Sequence, residues 1–145
     1  MQARDLMTRH EVFCALETDD ARSVAQKLAE HNIASLPVLD FQGRLRGMVT
    51  DRDLCVRVMA KGSSYDTSVS DVMSEPAHSV GPDASLEEIE RTMQQFQIRH
   101  LPVVDSDEQL LGFISLSDLA RWCETPQEEH DLVGVLEAIS PSQVV

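Results

Sequence analysis

An α+β fold built from one βαββα unit used twice is predicted by two features of this chain of 145 residues. Ile33, Leu36-Pro37-Val38, Asp40, Leu45, Gly47 and Asp53-Leu54 recur 65 residues later as Ile98, Leu101-Pro102-Val103, Asp105, Leu110, Gly112 and Asp118-Leu119. Each copy also runs from apolar residues at helical spacing into two short apolar runs and then a second helix. Upstream, Asp5 and Met7 match Asp71 and Met73 at a spacing of 66, so the second copy is one residue shorter before its helix. A unit of about 60 residues buries little core alone. Two copies packed face to face are expected to share one core and to leave clefts between them. The expected organisation is a first repeat over 3–59, a linker over 60–68, a second repeat over 69–123 and an acidic, helical C-terminal tail over 124–145.

In the first repeat, Ala21, Val24, Ala25, Leu28 and Ala29 lie on one face of a helix started by Asp19 or Asp20. Leu86, Ile89, Met93 and Phe96 repeat that stripe, and Ser85 and Glu88 have the spacing of a capping box. These helices are expected to end near Asn32 and Gln97. Leu36–Asp40 and Leu45–Thr50 read as a hairpin around Phe41-Gln42-Gly43-Arg44, with Gly43 suited to a positive φ. Leu101–Asp105 and Leu110–Ser115 are its copy. Pro37 and Pro102 donate no ladder hydrogen bond, which puts each at a strand start or an edge and leaves nearby backbone groups for a ligand. Leu132, Val133, Val135, Leu136 and Ile139 predict an amphipathic helix in the tail, running until Pro141.

The formal net charge of −13 disfavours a broad interface with DNA, RNA or an anionic bilayer, because the field of the whole protein repels them. A small anion held by a few local donors is compatible with it. No run of 18 apolar residues is present and the first residues lack a signal-peptide core, so a soluble, cytoplasmic protein is expected. Cys14, Cys55 and Cys123 are far apart, with no CxxC pair, and read as reduced thiols without a metal role.

Chemistry concentrates where the second hairpin strand meets the second helix. Gly47-Met48-Val49-Thr50-Asp51-Arg52-Asp53 and Gly112-Phe113-Ile114-Ser115-Leu116-Ser117-Asp118 share a glycine, two apolar residues, a hydroxyl and, three residues on, a carboxylate. Two readings of these residues stand. In one, Thr50, Ser115, Asp51 and Ser117 cap helices and the aspartates answer the helix dipole. In the other, helix N–H groups and the hydroxyl hold a phosphate while the carboxylate accepts the two ribose hydroxyls of a nucleotide.

This doubled pattern, preceded by Asp5-Leu6-Met7-Thr8 and Asp71-Val72-Met73-Ser74, resembles a pair of CBS domains, the Bateman module, over about residues 3 to 123. The resemblance implies tandem repeats packed about a pseudo-two-fold with two nucleotide clefts, and dimerisation into a flat disc. It implies that Asp53 and Asp118 bind ribose and that Thr50 and Ser115 lie near ribose or phosphate. Pro37, Val38, Pro102 and Val103 would line the same clefts. In the gamma subunit of AMP-activated protein kinase, basic residues just before the Leu-Pro-Val strand hold phosphates. Arg99-His100 stands there in the second repeat but Ala34-Ser35 in the first, so unequal sites are expected. Arg52 and Ser117 complete the candidate set.

The function expected from this resemblance is a regulatory, non-catalytic module. It senses an adenosine nucleotide (AMP, ADP or ATP, with AMP or ATP favoured) and signals, as a homodimer, through a separate partner protein. No required cofactor, nucleic acid or membrane partner is expected. Two other readings remain: a constitutive dimeric adaptor with no nucleotide, and a metal or redox sensor built on Cys14, Cys55, Cys123 and histidine.

Overall fold

Val24, Leu36, Val38, Val49, Val69 and Val72 are wholly buried in one apolar cluster, and Ile89, Met93, Leu101, Val103, Ile114 and Val135 in a second. The computed structural model describes residues 1–10 and 12–140. Each cluster is the core of one of two units. One unit comprises residues 13–77 and 107–110, and the other 1–12, 78–106 and 111 onward. The expected single shared core is therefore replaced by two, and the units are not the repeats as the sequence divides them. The opening segment of the expected first repeat packs with the second, and residues 69–77, the opening segment of the second, pack with the first. Each repeat closes its core with an Asp-apolar-Met segment that lies distant along the chain, which sequence spacing alone does not show.

In the unit of residues 13–77, β1 (Ala15–Leu16) pairs in parallel with β2 (Ser35–Leu39), and β2 pairs antiparallel with β3 (Leu45–Thr50). The helix α2 (Ala21–His31) starts at Asp20, whose carboxylate accepts from Ser23 N at 2.8 Å, and ends at Asn32 in the left-handed region. After β3 comes α3 (Asp51–Leu54), which continues as a π-helical turn over Cys55–Met59, and later α4 (Val69–Val72). In the other unit, α1 (Ala3–Leu6) precedes α5 (Leu86–Phe96), β4 (His100–Val104), β5 (Leu110–Ser115), α6 (Leu116–Trp122) and α7 (Pro126–Ile139). Ser85 Oγ accepts from Glu88 N at 3.2 Å, the hydroxyl half of the expected box, and Gln97 closes α5 at φ 54°. The helices α1, α4 and the π-helical turn have no apolar periodicity long enough to announce them. The first strand of the second repeat is reduced to one parallel bridge, Val80 with Val103.

Both prolines stand mid-strand: Pro102 lies in β4, an edge strand of its two-stranded sheet, as one of the two expected placements has it, whereas Pro37 lies in the central strand β2, contrary to both, and the pairing explains how. Met48, opposite Pro37, donates its N–H to the Ser74 carbonyl at 3.1 Å and accepts at its own carbonyl from Ser74 N at 2.8 Å. Pro37–Met48 is thus a pair without ladder bonds, where the missing N–H is not needed. Pro102 has the same place within β4, and its carbonyl accepts from Val80 N at 3.1 Å, so that group is not left for a ligand. The recurring glycines have a matching cause. A Cβ at Gly47 would stand 2.7 Å from both Met73 Sδ and the Ser74 carbonyl, and one at Gly112 would stand 2.7 Å from Met7 Sδ and 2.9 Å from the Thr8 carbonyl.

The hairpin turns differ. Gly43 takes φ 79° as expected, whereas its counterpart is Glu108 at φ 62°. Asp40 ties the first turn by accepting from Gln42 N and Arg44 N at 2.8 and 3.0 Å and from Arg44 Nε at 2.9 Å. Burial pushes this carboxyl up, but the bonds from Arg44 and Gln42 outweigh burial and hold it below the usual range.

The tail helix α7 begins at Thr125 with a reciprocal capping box to Glu128 and proline in the first turn. It packs on α5 and α6, burying Val135 and Ile139. Pro141, where this helix was expected to stop, lies outside the described residues. Among the described residues, no helix is long and apolar enough to cross a membrane.

Candidate functional site

Each repeat brings its hydroxyl and carboxylate together where a strand becomes a helix. At the end of β3, Asp53 N donates to Thr50 Oγ1 at 3.1 Å, and Asp53 Oδ2 accepts from Thr50 N at 2.9 Å. At the end of β5, Asp118 N donates to Ser115 Oγ at 3.2 Å, and Asp118 Oδ2 accepts from Ser115 N at 2.8 Å and from Ser115 Oγ at 2.6 Å. Both are capping boxes, so the capping reading describes these side chains as they stand. The first helical N–H of each helix is also engaged: Asp51 N donates to the Ala34 carbonyl at 2.9 Å and Leu116 N to the Arg99 carbonyl at 3.1 Å. Arg52 N donates to Asp51 Oδ1 at 2.7 Å. These donors already have partners within the fold, so they are not vacant at either helix start.

The outer carboxylate oxygens separate the two junctions. Asp53 Oδ1 lies 3.8 Å from Arg57 Nη2, and Arg57 is itself fixed through Nη1 to the carbonyls of Val72 and Met73, at 2.6 and 2.9 Å. Asp118 Oδ1 accepts from Arg121 Nη1 at 3.4 Å, and that arginine is 76% exposed. Both aspartates are only 14% exposed. Repeat matching could not reveal either arginine, because Arg57 corresponds to Trp122 and Arg121 to Val56. A scan for cations three or four residues after each aspartate would have found both.

The remaining candidates divide by burial. Val38 and Val103 are wholly buried core residues, and Pro37 and Pro102 are buried as well. Arg52, Ser117 and Arg99 are exposed. The His100 ring stacks on Phe113 of the neighbouring strand at 5.5 Å. Arg99 combines a backbone bond to α6 with a guanidinium that reaches Ser140 Oγ at 3.3 Å. Each unit also carries a tight imidazole–phenyl stack that repeat matching missed, Phe13 on His31 and His78 on Phe96, each at 3.6 Å. The partners are reversed between the repeats, so identity matching passes over them.

The three cysteines are free thiols. Burial pushes the Cys123 thiol up, and Glu128, Glu129 and Glu90 push it further, which favours the protonated form over a thiolate ligand. Among the described residues, no three His, Cys, Asp or Glu side chains converge as a metal site.

The family model of the CBS domain matches this chain twice, over residues 3–60 and 69–125. The chain is similar to the CBS domain-containing protein YhcV of Bacillus subtilis, at 40% identity over 117 residues, 81% of each chain. It is 33% identical to Hypoxic response protein 1 of Mycobacterium tuberculosis over 138 residues, 94% of this chain and 92% of that one. The crystal structure of Hypoxic Response Protein I with two coordinated zinc ions matches with a TM-score of 0.77 at 31% identity, over 85% of this chain and 99% of that one. CBSX2 in complex with AMP matches with a TM-score of 0.73 at 27% identity, over 83% of this chain and 93% of that one.

Proposed function

Because the chain belongs to the CBS domain family, we propose that it is a regulatory module that binds an adenosine nucleotide, AMP or ATP foremost, and signals through a partner protein. The observation that carries this reading is the Ser115–Asp118 junction. There a carboxylate has one oxygen held in a cap and the other beside an exposed arginine, while Arg99 is bonded to the same helix start. Asp118 Oδ1 accepts the ribose hydroxyls once Arg121 swings away, and Arg99 supplies the fork of donors that suits a phosphate. Asp53, hemmed in by a fixed Arg57 and with Ala34 where the other junction has Arg99, is the weaker site. The complex of CBSX2 with AMP supports this ligand class. We assign the chain no reaction of its own and read it as a cytoplasmic homodimer.

A thermal-shift titration of the full chain with AMP, ADP, ATP, NAD and S-adenosylmethionine tests the reading, alongside Asp118→Ala and Asp53→Ala. A ligand that binds the native state alone at about 100 times its dissociation constant adds about 2.7 kcal/mol. For a chain of this size that raises Tm on the order of 5–10 °C. An adenosine phosphate is expected to give such a shift, lost in Asp118→Ala and kept in Asp53→Ala. No shift with any of the five ligands would overturn the nucleotide reading. The constitutive adaptor would then take its place, a role favoured by one observation: α7 leaves Val133 and Leu136 50% and 44% exposed.

A further inference from the structure

Arg99 is held from two directions. Its carbonyl accepts from Leu116 N at 3.1 Å, which fixes its backbone beside the Ser115–Asp118 junction. Its guanidinium turns to the last turn of α7, where Nη2 donates to Ser140 Oγ at 3.3 Å. Two residues earlier, Gln97 donates from Nε2 to the Ala138 carbonyl at 3.3 Å. The connector between α5 and β4 is thus tied twice to the end of a helix about 40 residues further along the chain. The Arg99 tie is long, exposed and made to a neutral hydroxyl. A phosphate oxygen is a far better acceptor for a guanidinium, since charge assistance roughly doubles the strength of such a bond. The first repeat has Ala34 at the matching position, so the arrangement belongs to one junction only.

We propose that the last turn of α7 and the phosphate of a bound adenosine nucleotide compete for the Arg99 guanidinium, an inference that rests on the nucleotide reading above. Without ligand, Arg99 is parked on Ser140. With ligand, it turns to the phosphate, and the last turn of α7 keeps only the Gln97 tie and its buried side chains. Val135 and Ile139 stay in the core, so the loosening is confined to the helix end. The coupling is reciprocal: whatever weakens the tie to Ser140 tightens phosphate binding by the same factor. The exposed end of the tail helix thereby reports whether a phosphate is bound.

Isothermal titration of the full chain with AMP, ATP and adenosine, in wild type and in Ser140→Ala, separates this from simple binding. Ser140→Ala is expected to bind AMP and ATP about 2- to 5-fold more tightly, the size of one exposed hydrogen bond, with adenosine unaffected. In wild type, AMP is expected to speed amide hydrogen exchange in residues 137–140. If wild type binds AMP but Ser140→Ala binds it equally and exchange is unaltered, the competition is overturned and the nucleotide reading stands. If wild type binds none of the three, both are overturned.

Discussion

The junctions at Thr50–Asp53 and Ser115–Asp118 share their residue types, their capping boxes and nearly the same burial, yet they are different places chemically. Asp53 is closed in by an arginine that is itself locked to backbone, and its neighbour across the junction is Ala34. Asp118 faces an exposed arginine with no bond to backbone among those described, and its neighbour across the junction is Arg99. The shared residues build the scaffold, and those that the repeats do not share decide what the scaffold can hold. A duplicated motif is therefore strong evidence for a fold and weak evidence for two equal sites.

The scaffold is where substitution should have its largest effect. Gly47→Ala sets a methyl against the Ser74 carbonyl and Met73, and Gly112→Ala sets one against the Thr8 carbonyl and Met7. Each is expected to destabilise by about 1–3 kcal/mol, as overpacking does. Gly47→Ala is expected to cost more, because its nearest backbone carbonyl is closer, at 2.7 Å against 2.9 Å, and backbone yields less than methionine. Urea denaturation measures both. Equal stabilities for both variants and wild type would show that these segments move aside, and would undo the argument that the two glycines recur for a packing reason.

The outer arginines sharpen the contrast next. Arg57→Ala removes two bonds to the carbonyls at the end of α4 and the charge beside Asp53, and is expected to cost about 1–2 kcal/mol. Arg121→Ala removes one exposed contact, so its cost is expected to stay within about 0.5 kcal/mol. Chemical denaturation of the two variants side by side decides the matter. If their losses are equal, Arg57 is no staple and the two junctions are electrostatically alike.

The hairpins, α2, α5, α7 and the paired hydroxyl and carboxylate are all legible in the sequence, because each is written in local periods and caps. The helix stops at Asn32 and Gln97 emerge where the apolar stripe ends, and both residues take the left-handed conformation. What was not legible is non-local. Met7 over Gly112 and Met73 over Gly47 each join one repeat to the segment leading the other, and identity at a fixed spacing is silent about such an exchange. Glu108 takes a positive φ with no glycine to announce it. The Arg99–Ser140 bond spans 41 positions and has no counterpart to recur. The first N–H of each helix, which one of the two readings offered to a phosphate, donates instead to the carbonyl of Ala34 or Arg99, a property of tertiary packing alone.

The tail helix gives the smallest effect and the sharpest sign. Glu90 on α5 stands where the first repeat has Ala25, and α7 packs on α5. Burial pushes the Glu90 carboxyl up, and Asp131 and Glu128 of α7 together with Glu87 push it further. A carboxyl whose folded value lies above its unfolded one is penalised when ionised, so docking of α7 is weakest above the folded value. As pH falls through that value toward the ordinary 4.5, the docked state takes up a proton and gains stability. Glu128, held low first by the N–H groups of Glu124 and Thr125, works in the opposite sense, but only at more acid pH. Glu90→Gln is therefore expected to stabilise docking at pH 7 by about 0.5 kcal/mol or less, given solvent screening, and to flatten the gain seen in wild type between about pH 7 and 5. Hydrogen exchange of the α7 amides at the two pH values measures this. A tail that loosens on acidification over that interval in wild type would mean that attraction to basic groups, and not repulsion from Glu90, governs the one helix that the first repeat lacks.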